Sequence, residues 1–188
     1  MFGQMSLDFF IERSFSYEDF VERTPKNRER LAQVYSSVNI PDDMKQQIKE
    51  IKAKILMLVF AENWCSDTVL TLPIFFKLSE LNENINLVII PRDDYIEEFK
   101  EHFLTDGKAK IPLVLFLLDK SEEIHRFIER TKYVDDEVKR IKANNLEKRE
   151  IYRSVIQFYL SSKTIEQTTK ELACELIKVE LLARSAMN

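Results

Sequence analysis

Ile55-Leu56-Met57-Leu58-Val59-Phe60-Ala61-Glu62-Asn63-Trp64-Cys65-Ser66-Asp67-Thr68 decides how this chain folds. Ile55 to Ala61 is an unbroken apolar run, with lysines before it and Glu62-Asn63 after it, which suits a strand buried on both faces. From about Cys65 to Leu81, the residues Leu70, Ile74, Leu78 and Leu81 recur at helical spacing and predict a helix. Pro73 lies inside that helix and predicts a kink, because its ring removes a backbone donor. The order is strand, exposed cysteine, helix, and it sets one sulfur at a helix N-terminus.

Downstream, Ile85 to Pro91 reads as a second strand and Tyr95 to Leu104 as a helix, with Thr105-Asp106-Gly107 as its stop. Leu113 to Leu118 makes a third strand, and Asp119-Lys120-Ser121 turns the chain towards a short fourth, Glu123 to Ile128. In Arg92-Asp93-Asp94 one of the aspartates is expected to cap the helix that follows. Upstream, Ser16 caps a turn from Tyr17, Thr24-Pro25 opens a helix carrying Leu31, Val34, Tyr35 and Val38, and Pro41 opens another with Met44, Ile48 and Ile51. After Val134 the pattern is helical throughout: Val138 and Ile141, then Ile151, Val155, Ile156 and Tyr159, then Leu172, Leu176, Val179 and Leu182. The chain therefore reads as one α/β domain, with a helical extension over 1–53, a core over 54–145 and a second helical extension over 146–188.

Composition removes whole classes of function. At 188 residues, with 45% hydrophobic and 32% charged, the chain can bury a core and is expected to be soluble. Its apolar runs are far shorter than the roughly 20 residues that cross a bilayer. The N-terminus, Met1 to Arg13, lacks the layout of a secretory signal, so a cytoplasmic location is expected. Acidic and basic residues are interleaved to a net charge of −4, and no basic stripe invites nucleic acid. Gly3 and Gly107 are the only glycines, and neither phosphate-binding glycine motif occurs. Two cysteines, Cys65 and Cys174, and two histidines, His102 and His125, make neither a disulfide framework nor a metal site. Both histidines read as surface residues, and Cys174 reads as buried between Leu172 and Leu176.

Taken together, Trp64-Cys65 after a strand, Pro73 in the following helix, and Ile111-Pro112 leading into Leu113-Val114-Leu115-Phe116 resemble the thioredoxin superfamily over residues 55 to about 142. Pro91-Arg92-Asp93-Asp94 and Phe103-Leu104-Thr105-Asp106-Gly107 resemble a branch of bacterial thioredoxin-like proteins whose site reads WCxD. The resemblance implies a central mixed sheet of about four strands flanked by helices, and a cis-proline at Pro112 facing the reactive cysteine. Two departures matter. The second cysteine of the usual pair is replaced by Thr68, and the buried acid of ordinary thioredoxins corresponds to Val59.

A cysteine at a helix N-terminus meets unpaired amides and the positive end of the dipole, which favour the thiolate. The Thr68 hydroxyl, one turn into the helix, is placed to donate to it, whereas the Asp67 carboxylate opposes a second negative charge. Sequence does not sign the sum. The leading expectation is a monothiol disulfide oxidoreductase, with Cys65 as nucleophile, Thr68 assisting, and Trp64, Ser66, Asp67, Ile111 and Pro112 forming the client groove. Its partners would be protein thiols or disulfides, with a small-molecule thiol as co-substrate and no other cofactor. Two alternatives stay open: a redox-inactive protein-binding module using the same groove, and a thiol sensor without turnover.

Overall fold

The structure, a computed structural model, describes residues 7–23, 26–118, 122–144 and 146–186. The Thr24-Pro25 helix start and the Asp119-Lys120-Ser121 turn lie outside the described residues. In chain order, α1 (Leu7–Ile11), α2 (Tyr17–Arg23), α3 (Arg28–Ser37) and α4 (Asp42–Lys49) precede β1 (Ile55–Ala61), α5 (Ser66–Ser79) and β2 (Ile85–Pro91). Then follow α6 (Ile96–His102), β3 (Leu113–Leu118), β4 (Glu122–Ile128), α7 (Lys132–Ala143), α8 (Lys148–Tyr159) and α9 (Ser162–Ala186). Among the described residues the strands form one sheet in the order β2-β1-β3-β4, with β1 and β2 parallel and the other pairs antiparallel.

The apolar run of β1 is central because both of its faces are covered. Side chains alternate along a strand. Ile55, Met57, Val59 and Ala61 face a cluster with residues of α2, α3, α4, α5, α7, α8 and α9. Leu56, Leu58 and Phe60 face a second cluster with Phe10 of α1, Phe99 of α6 and Phe103. There Phe60 packs edge-on against Phe10 at 5.0 Å and Phe99 at 5.2 Å, an arrangement aromatic quadrupoles favour. Helices therefore lie on both faces of a mixed sheet, the α/β architecture expected of the chain, and both terminal extensions bury side chains in the same core as β1.

Two attachments fix the extensions to the sheet. Phe15 forms an isolated antiparallel bridge with Ile89 of β2, donating at 2.8 Å and accepting at 2.9 Å. At the other end of the chain, the buried Glu180 of α9 accepts from the Lys52 and Ala53 amides just before β1, at 3.3 and 3.2 Å, and from Arg184 at 2.7 Å.

Several local readings are corrected. The sixth helix ends at His102, and Gly107 does not stop it. Asp106 and Gly107, at φ 52° and 71°, instead form the centre of a tight turn between Thr105 and Lys108, the Asp-Gly chemistry of a type I′ hairpin. Neither Asp93 nor Asp94 caps α6, which follows a single 3-10 turn at Arg92–Tyr95 without a side-chain cap. Ser16 does cap α2, accepting from the Asp19 amide at 3.1 Å. Cys174 is exposed rather than buried. His102 and His125 are partly buried, and His125 is hydrogen-bonded to Glu175 of α9 at 2.7 Å and stacked on Phe116.

Candidate functional site

Cys65 is the N-cap of α5 and ends the short loop after β1. Its amide donates to the Glu62 carbonyl at 3.0 Å and its carbonyl accepts from Val69 at 3.1 Å, so the cysteine is fixed at the helix start by its own backbone. The α5 interior is almost wholly apolar and buried, with Pro73 inside it, and its packing against the sheet holds that N-terminus in place. The sulfur is half-buried and donates to the Ile111 carbonyl at 3.6 Å, across from the cis Ile111–Pro112 peptide. Ile111 and Pro112 are themselves buried, and Cys65 packs against the apolar cluster that includes Ile111.

Burial of the sulfur is the largest influence on its ionisation and pushes the thiol pKa up; the Asp67 charge pushes the same way. The amides of Thr68 and Asp67 at the helix start, and the Thr68 hydroxyl, pull it down without prevailing. Thr68 is 0% exposed, and among the described residues its oxygen has no hydrogen-bond partner in this resting geometry. A hydroxyl left unpaired in the interior costs free energy, and ionising the neighbouring sulfur would supply it an acceptor.

Beside the sulfur, Trp64 is 44% exposed and is held by residues that sequence reasoning did not assign to the site. Its indole Nε1 donates to Asp93 at 3.1 Å, and the Arg92 guanidinium lies 5.4 Å from its ring centroid. Arg92 also donates to Asp93 and to the Ala109 carbonyl at 2.8 Å, tying the indole to the loop that leads into Pro112. Glu62 accepts from the Asp93 amide at 2.7 Å, and burial, with the charges of Asp93 and Asp94, raises its pKa. Asn27, in the left-handed region at φ 61°, donates to the Asn63 carbonyl at 2.7 Å, so the N-terminal extension reaches this loop. Arg92, Asp93 and Glu62 were visible only as a strand end and a turn, and no spacing links them to Trp64.

Asp67, expected in the groove, turns into the protein and is 8% exposed. Arg130 donates to both of its oxygens, at 2.6 and 2.9 Å, and the Tyr159 hydroxyl donates to Oδ1. Arg130 stands at the junction of β4 and α7, where Glu129 has φ 64° and the Arg130 amide folds back onto the Ile128 carbonyl at 2.7 Å. Ser66, the first residue of α5, is part-exposed. Cys174 lines a different cavity, of about 340 Å³, with Thr131, Gln167 and Glu171.

A family model described as thioredoxin matches residues 14–168. No curated protein matches the chain. Among solved structures, a protein of unknown function from Pseudomonas aeruginosa superposes with a TM-score of 0.70 at 17% identity, covering 97% of this chain and 99% of that one. An HIV epitope-scaffold superposes with a TM-score of 0.68 at 20% identity, covering 93% and 98%. These likenesses are of fold.

Proposed function

Because this chain belongs to the thioredoxin family, we propose that it carries out thiol–disulfide exchange with one cysteine, in the cytoplasm. The observation that carries this reading is the partly buried Cys65 at the N-cap of α5, beside an exposed Trp64 and the Ile111 backbone, with a hydroxyl at Thr68 where a resolving thiol would stand. The Cys65 thiolate attacks a client disulfide, forming a mixed disulfide and releasing one client thiolate, which takes up a proton. A second thiol, from a small molecule, then attacks the client sulfur and regenerates Cys65. Each step exchanges one S–S bond for another, and no net electrons are gained. Trp64, with Arg92 and Asp93 behind it, forms one wall of the client groove, and the Ile111–Pro112 backbone forms the other.

A second reading is a binding module that uses the same groove without turnover. The raised pKa of Cys65 favours it, because a buried thiol that stays protonated near neutrality reacts slowly. Incubation of a Cys174→Ser variant with glutathione disulfide at pH 7 and pH 9, followed by intact mass and peptide mapping, separates the two. Exchange predicts one adduct, on Cys65, faster at pH 9 and released by added thiol. A folded protein that takes up no adduct at either pH would overturn exchange and leave the binding module.

A further inference from the structure

We propose that Arg130 is a positioning residue for the Cys65 sulfur: by closing a bidentate pair with Asp67, steadied by Tyr159, it offsets part of the carboxylate's opposition to a negative charge at Cys65. The proposal rests on the exchange reading, and it assigns a task to three residues drawn from α5, from the β4–α7 junction and from the end of α8.

Asp67 lies two residues from Cys65, in the first turn of the same helix, where its charge bears directly on the sulfur. Left alone it would cancel much of what the helix N-terminus offers the thiolate. A guanidinium in a two-point pair is the strongest counter-charge a protein can place there, and its planar fork also fixes where the carboxylate points. Tyr159 completes the arrangement, donating to Asp67 Oδ1 while its oxygen accepts from Arg130 Nε at 3.2 Å. With that hydroxyl and both guanidinium donors spent on Asp67, the carboxylate is directed away from the groove.

The backbone also bears on this. Glu129, immediately before Arg130, holds φ 64°, a left-handed conformation that L-residues other than glycine rarely adopt. Its amide donates to the Pro112 carbonyl at 2.8 Å, so the same strained turn fixes the Pro112 loop and launches Arg130 towards Asp67. Other charged groups near Arg130 are Glu129 at 3.1 Å, Asp135 of α7 at 3.7 Å, and Lys132, which shares two cavity walls with it and is itself paired with Asp136. Asp135 is also paired with Lys139, and Lys110 lies close enough to help hold its carboxyl below the usual range. From α9, Lys170, Glu171 and Glu175 share a cavity wall with Arg130. Lys170 is paired with Glu166, Glu175 with His125, and Glu171 accepts from the Tyr133 amide. Asp67 is the carboxylate that Arg130 engages through two donors.

The test is the pH profile of Cys65 alkylation by iodoacetamide in a Cys174→Ser background, where the inflection reports the sulfur's ionisation. Arg130→Gln should move the inflection up by about one pH unit, roughly a tenfold loss of rate at pH 7. Asp67→Asn should move it down, and Asp67→Asn with Arg130→Gln should return it to or below the starting position. Tyr159→Phe should give a smaller upward shift. Arg130→Gln leaves a buried carboxylate without its partner, so folding is checked by circular dichroism, and the Asp67→Asn arm stands if that variant fails to fold. Profiles of folded Arg130→Gln or Asp67→Asn that superimpose on the parent would overturn the proposal. The parent's adduct formation with glutathione disulfide reports separately on exchange, so the failure of one reading is distinguishable from the failure of the other.

Discussion

At Cys65 burial and the Asp67 charge oppose the helix amides and the Thr68 hydroxyl, and burial prevails. Among the described residues the Thr68 hydroxyl has no hydrogen-bond partner, and donation to the sulfur would favour the thiolate. Thr68→Val, close to isosteric, should slow alkylation at pH 7 by about three- to tenfold, the worth of one ordinary hydrogen bond to a weakly accepting sulfur, with little loss of folding stability. A stopped-flow rate against pH measures it, and an unchanged rate would show that the hydroxyl does not serve the thiolate. The motif around Cys65 could be read from sequence because its residues are adjacent in the chain. Arg130 and Tyr159 could not, because they reach Asp67 from distant segments and nothing in their spacing marks them. Cys174 was misread for a geometric reason. Residues two apart on a helix lie about 200° apart, so a cysteine between Leu172 and Leu176 points away from the face those two bury.

Among the elements, β1 was legible to its ends because a strand covered on both faces must be apolar throughout. The last helix was harder to place. Its buried stripe runs Leu172, Leu176, Val179, Ala183, whereas the expected Leu182 is exposed, one position off that stripe. The turn at Asp106-Gly107 was taken for a helix end, since one glycine serves both, and only the positive φ at both residues distinguishes them. The tie between α9 and the start of β1 left no trace in the sequence: a glutamate in a helix reads as surface until its partners are seen. Glu180→Ala should cost about 2–3 kcal/mol, because two amides, that of Ala53 buried, lose their acceptor. Urea unfolding would show this as a lower midpoint at unchanged slope, and a midpoint within error of the parent would mean that water replaces the carboxylate.

For the whole molecule, alkaline pH is the direction of weakness. Tyr17 and Tyr159 both have pKa values pushed above that of an exposed tyrosine, first by burial and then by neighbouring negative charge. Below the unfolded value of about 10 both states are protonated and the stability is intact; above it the unfolded chain releases protons that the native state keeps, and stability falls. Each buried phenol adds about 1.4 kcal/mol of loss per pH unit beyond that point. Denaturation midpoints measured from pH 8 to pH 11 should therefore be flat and then drop, and Tyr159→Phe should drop less steeply. Equal slopes for the parent and the variant would rule Tyr159 out as a source of the loss.

The Phe15–Ile89 bridge has a consequence beyond holding α2 in place. A sheet ending at β2 presents a row of backbone donors and acceptors that another chain can pair with, and Phe15 occupies that row at Ile89. The opposite border is guarded differently, by the charged Glu122, Glu123 and Arg126 of β4. Phe15→Pro, which deletes the donor to Ile89, should therefore show itself first in light scattering, as association that grows with protein concentration while the circular dichroism spectrum holds. The N-terminal segment thus fills, at Ile89, edge positions that a second chain would otherwise need in order to add a strand.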